Sequence, residues 1–282
     1  MGTRRGLLYG WLGVLGFSGS LVATRFAVRE LDPSFVGLGR AMAGAVLAAV
    51  VLRWRRAPLP SRAQVPRLLA VALGVVVGFP WLISLAMRTM PAAHGAVIVG
   101  LLPMATSVLA VIRAGERPSL GFWMASVAGL VGVLAFAVTR GAGGLDRADL
   151  LALGAVILGG LGYCEGGLLA REMPPAHVIC WALILASPFL AVATTVTALR
   201  AGVSAGPVAW LGVFYRGMAE AGIARVSQIQ LAQPVLTLLW SALLLGERVD
   251  PATIAAALFI VGCVLVTLKT RVRTVGAIPE AP

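Results

Sequence analysis

The chain has 282 residues, of which 59% are hydrophobic and only 12% are charged, and its mean hydropathy is +0.94. This composition excludes a soluble globular protein, because no polar stretch is long enough to build a soluble domain. The formal charge of +12 does not indicate a nucleic-acid partner, since the arginines form short groups between apolar runs instead of lining one face with aromatic residues.

Apolar windows of about 20 residues, enough to cross ~30 Å of hydrocarbon, follow one another nearly end to end. They lack the alternating pattern of barrel strands, so the pattern predicts transmembrane helices. Arg4 and Arg5 precede a full-length span with no small-x-small cleavage site after it, which favours a retained span over a signal peptide. The predicted spans are 7–26, 34–52, 67–87, 93–112, 119–138, 149–170, 175–198, 205–219, 221–245 and 251–268.

The second to fourth spans carry four candidate site residues. Arg40 could attract a solute carboxylate, but an extension of its side chain to the nearby surface is favoured. Trp81 and Ser84 in the third span, with His94 at the outer start of the fourth, are candidates for an outward vestibule. For Trp81 the aromatic belt or lipid contact is an equal alternative, and a lone histidine near a helix end is more often exposed or structurally bonded than a proton relay.

The sixth span contains Glu165, the one acid that the pattern places clearly inside a span, and Tyr163 beside it. A carboxylate in a membrane is costly enough to suggest function, including proton binding. The alternative, slightly favoured, is that Glu165 lies toward the inner end and reaches water or pairs with an arginine. The glycine-rich stretch 159–167 indicates close helix packing.

The later spans supply Trp181 and Tyr215 as weaker vestibule candidates, and Gln230 and Gln233 as cavity candidates. Gln230 and Gln233 share a helix face, and amides in hydrocarbon need a polar partner, either a solute or a neighbouring helix. The eighth span, 205–219, is short. Ten crossings are favoured because a missing eighth crossing removes the charge bias, and a locally thinned bilayer or a deletion explains the shortness.

A duplication links the two halves of the chain. Leu102-Pro103 through Gly115-Glu116-Arg117 reappears 131 residues later as Gln233-Pro234 through Gly246-Glu247-Arg248. Pro103 and Pro234 interrupt the helix ladder near mid-span, which suits both cavity lining and a hinge. For Glu116 and Glu247 we expect pairing with the adjacent arginine or capping of the following helix.

The fold class that follows is all-α: a polytopic membrane protein of about ten transmembrane helices built from two inverted five-helix repeats. Five spans per repeat is an odd number, so the second repeat is inverted and a site is expected at the interface near the midplane. The predicted repeats are 1–141 and 142–270, followed by a tail at 271–282. Lys and Arg are roughly twice as frequent on one predicted side, which places both termini in the cytoplasm.

The duplicated proline-to-glycine-glutamate motif, the ten short-looped spans and the arginine-rich inner loops resemble the EamA family of the drug/metabolite transporter superfamily. The segments 215–227 and 91–96 are similar to that family as well. Within it, the bacterial amino-acid exporters of the YddG type are the branch that the chain resembles. The resemblance implies a multi-pass protein of the bacterial inner membrane that exports small metabolites.

The predicted function is a secondary transporter of neutral or aromatic amino acids or their analogues, with another metabolite or drug as the alternative cargo. No phosphate-binding Gly-x-x-x-x-Gly-Lys motif is present, so direct ATP drive is not expected. The expected partners are a small-molecule substrate and membrane lipid, with no cofactor and no metal; the oligomeric state stays open. An intramembrane enzyme is disfavoured because His94 and His177 lie near opposite faces, and a scaffold subunit does not explain the paired prolines. Cys164, Cys180 and Cys263 are predicted to be packing residues.

Overall fold

The computed structural model describes residues 18–114, 119–140, 145–201, 233–247 and 249–270. Across these ranges the chain forms helices joined by short turns. A π-helical segment, Ala72–Gly78, joins α3 to α4. The helices are α1 Ser20–Glu30, α2 Pro33–Trp54, α3 Val65–Val71, α4 Phe79–Ala86, α5 Ala92–Val99, α6 Leu102–Ala114, α7 Leu120–Arg140, α8 Arg147–Leu169, α9 Pro175–Ala201, α10 Gln233–Leu245 and α11 Pro251–Thr270.

Six segments are long and apolar enough to cross a membrane, and they match the second to seventh predicted spans within a few residues. The shortest has 20 residues, which at 1.5 Å per residue covers about 30 Å. Helix α1 falls in and just beyond the first predicted span, α10 and α11 in the ninth and tenth, whereas the eighth lies outside the described residues. The protein is therefore a helical, multi-pass membrane protein. The six segments are Pro33–Trp54, Val65–Ala86, Ala92–Arg113, Leu120–Thr139, Arg147–Leu169 and Pro175–Ala201.

Two of the helices begin with the same Asp-Pro motif, in which the aspartate is the N-cap residue. The Asp32 carboxylate accepts hydrogen bonds from the backbone N–H groups of Ser34 and Phe35, at 2.8 and 3.1 Å, with Pro33 between them. Asp250 accepts the backbone N–H of Thr253 at 2.9 Å at the start of α11. These caps satisfy N–H groups that have no partner inside the helix, at membrane ends where an unsatisfied group is costly.

Spans at equivalent positions in the two predicted halves pack against each other. Helix α2 of the second span contacts α9 of the seventh, and α7 of the fifth contacts α11 of the tenth. Helix α5 of the fourth span contacts α10 of the ninth. The sixth span, α8, packs against both the third and the fourth spans, so the centre of the bundle lies between the halves.

Glycines allow α8 to approach both of its neighbours closely. A Cβ added at Gly160 would lie 3.1 Å from the Ala105 Cβ of α6. A Cβ added at Gly74, in the π-helical segment, would lie 2.4 Å from the Leu158 carbonyl oxygen and 2.6 Å from the Gly162 nitrogen. The glycine-rich stretch therefore serves the close packing that the sequence indicates.

The three cysteines form no disulfide and are buried, within helices α8, α9 and α11. Their positions agree with the packing role predicted for Cys164, Cys180 and Cys263.

We expect Gly74→Ala to destabilise the protein. The added methyl group would meet backbone atoms of α8, which cannot rotate away, so the two helices must separate. The expected loss is about 1–3 kcal/mol of unfolding free energy, the usual cost of overpacking, measured as a lower thermal midpoint of the detergent-solubilised protein. Gly167→Ala in α8 is the control, because nothing lies within 4 Å of a Cβ there. Equal midpoints for the two variants would contradict the close contact.

Candidate functional site

The fourth span is broken near its middle, one turn before Pro103. Helix α5 ends at Val99 and α6 begins at Leu102. Gly100 bonds back to Ala96 in the normal way at 3.0 Å, but Leu101 forms a tighter bond to Ile98, also at 3.0 Å. Pro103 has no N–H to donate to the Val99 carbonyl, so the regular ladder is interrupted here. The interruption of the helix ladder predicted at Pro103 takes the form of a helix break.

Pro234 meets this break from the ninth span. It is buried at the start of α10, and its Cγ lies 3.3 Å from the position of a Cβ on Gly100. Pro103 and Pro234 line one small cavity of about 10 Å³, comparable to the space that one water molecule needs. Thr237 contributes a hydroxyl to the wall, but that hydroxyl donates to the Ser18 carbonyl at 2.7 Å. The structure thus brings the two sequence-paired prolines together, and a solute-binding role for them stays a prediction.

A second and larger cleft lies between the third, sixth and seventh spans, with a volume of about 380 Å³. Trp81 is on its wall, and its indole N–H donates to the Ser34 hydroxyl at 3.1 Å. The remaining described walls are apolar, so this cleft suits an apolar group better than a charged one. They include Leu69, Leu73, Val77, Leu158, Leu185 and Phe189.

A charged cluster centred on Glu165 closes one end of the bundle. The Glu165 side chain is 3% exposed, and its two oxygens accept from Arg113 Nε at 2.5 Å and from Arg67 Nε at 3.2 Å. One buried carboxylate therefore connects the third, fourth and sixth spans. The sequence left open a proton-binding role for Glu165 and a pairing with an arginine; in the structure Glu165 is paired with two arginines.

Arg67 extends the cluster to the loop after the sixth span. Its Nη1 lies 2.5 Å from a Glu172 oxygen, and the Gln64 amide donates to the other oxygen at 3.4 Å. The Arg67 guanidinium, with a smaller contribution from Gln64, lowers the pKa of the exposed Glu172 carboxyl. We call this end of the bundle the Glu165 end.

Glu247 joins the two halves at the opposite end. Its carboxylate accepts the backbone N–H groups of Ala92 and Ala93, at 2.9 and 3.0 Å, and so caps α5 of the fourth span. Glu247 therefore caps a helix of the other half, which offers its free N–H groups to the carboxylate. Its expected partner Arg248 lies outside the described residues, so that pairing stays a prediction. Glu116, the sequence counterpart of Glu247, lies outside the described residues. Arg25 of α1 adds bonds to the carbonyls of Met87 and Arg88.

His94 lies at this same end and faces an acid that the sequence did not single out. Its Nε2 is 2.9 Å from Asp149 Oδ1, and the side chains are 14% and 2% exposed. Asp149 also accepts the Asp146 backbone N–H at 3.1 Å, as half of a capping box that starts α8. The spacing Asp146-x-x-Asp149 before an apolar run is a signal that could have placed the carboxylate at a helix start. Asp149, at the start of the sixth span, is therefore a second buried acid of that span besides Glu165.

Other predicted residues lie apart from these features. Ser84 is fully buried and donates to the Pro80 carbonyl at 2.7 Å. Arg40 is 1% exposed and donates through Nε to the Gly37 carbonyl at 3.2 Å. The favoured extension of Arg40 to the surface was wrong, because the α2 face that carries it is covered by protein.

Tyr163 and Trp181 are half-buried and pack on apolar core residues. Gln230 and Tyr215 lie outside the described residues, and for Gln233 only the helix position is described. Within the described part of the chain, no three His, Cys, Asp or Glu side chains group as metal ligands.

Comparison with known proteins gives a consistent result. Residues 4–138 and 146–269 both match the model of the EamA-like transporter family. The "uncharacterized transporter YdeK" of Bacillus subtilis is 39% identical over 276 residues, covering 93% of this chain and 96% of that protein. The "uncharacterized protein PA1977" of Pseudomonas aeruginosa is 29% identical over 292 residues, covering 96% and 97%. A crystal structure that is 19% identical superimposes with a TM-score of 0.65 over 95% of this chain and 98% of that one, which shows a shared fold.

We expect Glu165→Ala to lower the stability of the protein, because Arg67 and Arg113 lose the acceptor they share. Charge-assisted hydrogen bonds contribute about 1.5–3 kcal/mol, and the loss would be measured by denaturant unfolding in detergent. Glu172→Ala is the control, since its exposed carboxylate competes with water for Arg67, and we expect a clearly smaller effect. Equal losses for the two variants would contradict a central role for Glu165.

Proposed function

Because this chain belongs to the EamA-like transporter family, we propose that it is a secondary transporter that works by alternating access. Its cargo is a small, partly apolar metabolite, and amino acids, above all neutral and aromatic ones, or their analogues are the proposed class. The proposed direction is export. The chain is a membrane transporter of the family of the Bacillus relative; cargo, direction and mechanism are the proposal.

The observation that carries the mechanism is the meeting of Pro103 and Pro234 at one cavity. Pro103 interrupts helix hydrogen bonding within the fourth span, and Pro234 likewise has no N–H to donate. Such a proline leaves a backbone carbonyl able to bind a polar group. Broken helices that meet between two repeats form the substrate sites of many secondary transporters. The cavity of about 10 Å³ is too small for an amino acid, so the spans around it must separate to admit cargo.

The pairing of helices supports two inverted repeats of five spans, 1–141 and 142–270, ten crossings in all, with a tail at 271–282. A two-fold axis in the membrane plane carries each span onto its counterpart. A helix that lies near such an axis contacts the equivalent helix of the other repeat. The contacts of α2 with α9 and of α7 with α11 have this form. Two conformations related by exchange of the halves then have similar energies, which is the requirement for alternating access.

The two polar ends suit the roles of opposing gates. At the Glu165 end, Arg67 and Arg113 tie three spans to one carboxylate. At the other end, Glu247 of the second half binds the start of the fourth span. Alternating access requires one set of contacts to open while the other stays closed, and both sets consist of polar bonds that water can replace.

A second candidate cargo is an apolar drug-like compound. The cleft of about 380 Å³ beside Trp81 is lined almost entirely by apolar side chains, and such a pocket takes hydrophobic ligands. In this case the cargo would enter between the third and seventh spans.

We expect the purified protein in liposomes to catalyse saturable uptake of radiolabelled L-phenylalanine, accelerated by unlabelled amino acid on the opposite side. Gln233→Ala should reduce that exchange, because the amide precedes Pro234 at the proposed site, whereas Ser61→Ala, at an exposed loop position, should not. Uptake that stays linear with concentration and shows no counterflow would exclude a carrier. Counterflow with an apolar drug but with no amino acid would favour the second candidate.

The proposed orientation places the Glu165 end and both termini on the cytoplasmic side of a bacterial inner membrane. Arg171 and Arg147 are exposed at opposite ends of α8. In a variant without the three native cysteines, we expect Arg171→Cys to react with a membrane-impermeant maleimide only from the cytoplasm, and Arg147→Cys only from outside. Reaction of both from one side would rule out this topology.

A further inference from the structure

We propose that His94 and Asp149 form a proton-binding site that links proton movement to the conformational change of the carrier, an inference that rests on the proposed transport function. The two side chains come from different spans, the fourth and the sixth, and meet with 2.9 Å between Nε2 and Oδ1. The ligand of this site is the proton, and the residue that gains it is His94.

The position of the pair favours a functional role over a surface contact. Asp149 is 2% exposed and His94 is 14% exposed, so the carboxylate is shielded while the imidazole retains a path to water. The His94 ring packs against the Phe136 ring of the fifth span, with centroids 5.0 Å apart. Burying an ionisable pair between three membrane helices costs free energy, so its presence favours a functional role.

The geometry suits a charged imidazole. The 2.9 Å between His94 Nε2 and Asp149 Oδ1 is within the reach of an ion pair. A neutral imidazole binds a carboxylate only through one aligned N–H, whereas an imidazolium is attracted at any angle. Asp149 lies in the first turn of α8 and accepts the Asp146 N–H, where the helix dipole favours negative charge.

The chemical step is a single protonation. A ring nitrogen of His94 takes one proton from a hydronium ion, which becomes water, and the resulting imidazolium charge is balanced by Asp149. On release, the N–H bond breaks and the proton returns to water, leaving neutral imidazole. No other bond forms or breaks.

Charged groups on the surrounding elements shape the field at His94. Glu247, at the end of α10, lies at the first residues of α5, and Arg25 of α1 binds the carbonyls just before α5. At this end of the bundle, the charged residues on the helices packed around the pair and on the adjoining turns include Arg25, Arg29, Glu30, Asp32, Arg88, Arg140, Asp146, Arg147, Glu247 and Asp250.

The link to transport follows from which halves the contacts join. Asp149 and Glu247 both belong to the second predicted half, and both hold α5, which belongs to the first. Helix α5 leads directly to the break at Gly100 and to Pro103. Protonation of His94 strengthens the contact between α5 and α8 and so favours closure of this end, and loss of the proton favours its opening.

Proton binding can be measured without any cargo, because the chain contains two histidines. In His177→Gln protein with isotope-labelled histidine in lipid nanodiscs, the one remaining imidazole signal is that of His94. We expect it to change from the neutral to the protonated form between pH 5 and 9, and we expect Asp149→Asn to displace that titration by at least one pH unit. A signal that does not titrate, or that Asp149→Asn leaves in place, would overturn the proposal.

Coupling is tested in liposomes by two rates for L-phenylalanine: net uptake driven by a pH gradient, and counterflow without a gradient. We expect His94→Gln and Asp149→Asn to lower the ratio of the first rate to the second at least tenfold, and the control His177→Gln to retain it. An unchanged ratio in both variants would refute proton coupling through this pair while leaving the carrier function intact. Absence of counterflow in the unmodified protein would count against amino acids as cargo, and the titration would still decide the proton site.

Discussion

Hydrocarbon offers no hydrogen bonds, so every backbone group and every charge inside this protein must find its partner within the protein. The break in the fourth span depends on this constraint. Backbone interrupted by Pro103 at midplane depth is tolerable only because α10 and α8 cover it. The buried Glu165 is held by two arginines in the same way, and Arg40 donates to a carbonyl of its own helix.

The same constraint separates the polar contacts into two groups. One group, around Glu165, lies where α3 begins and α6 and α8 end; the other, around Glu247 and His94, lies where α5 and α8 begin and α10 ends. Between them the described interior is mainly apolar and packed tightly on glycines. A rigid middle with polar bonds at each end favours rotation of helix groups against each other over gradual deformation.

In the contacts at both ends, the acid and its basic partner differ in their exposure to water. Arg113 has half of its side chain exposed, whereas Asp149 and Glu165 are almost completely covered. At each end a buried carboxylate therefore meets a more accessible basic side chain, Arg113 at one end and His94 at the other. Such an arrangement can keep the acid in place while the basic side chain leaves, which suits the gating role proposed for both ends.

Hydropathy and duplication can be read directly from the sequence. Hydropathy predicted the membrane class and the bounds of six described spans within a few residues, and the duplication identified the paired prolines. The sequence also indicated the close packing of the sixth span, because glycine has no side chain whatever its neighbours are. The tertiary structure alone decided the partners. Glu165 binds an arginine 98 residues away and Glu247 caps a helix 155 residues away, and His94 meets Asp149 because the fourth and sixth spans start at the same end. These contacts depend on which helices are neighbours. Hydrophobic packing over whole helices selects those neighbours, and no short segment of the sequence shows a pattern that identifies them.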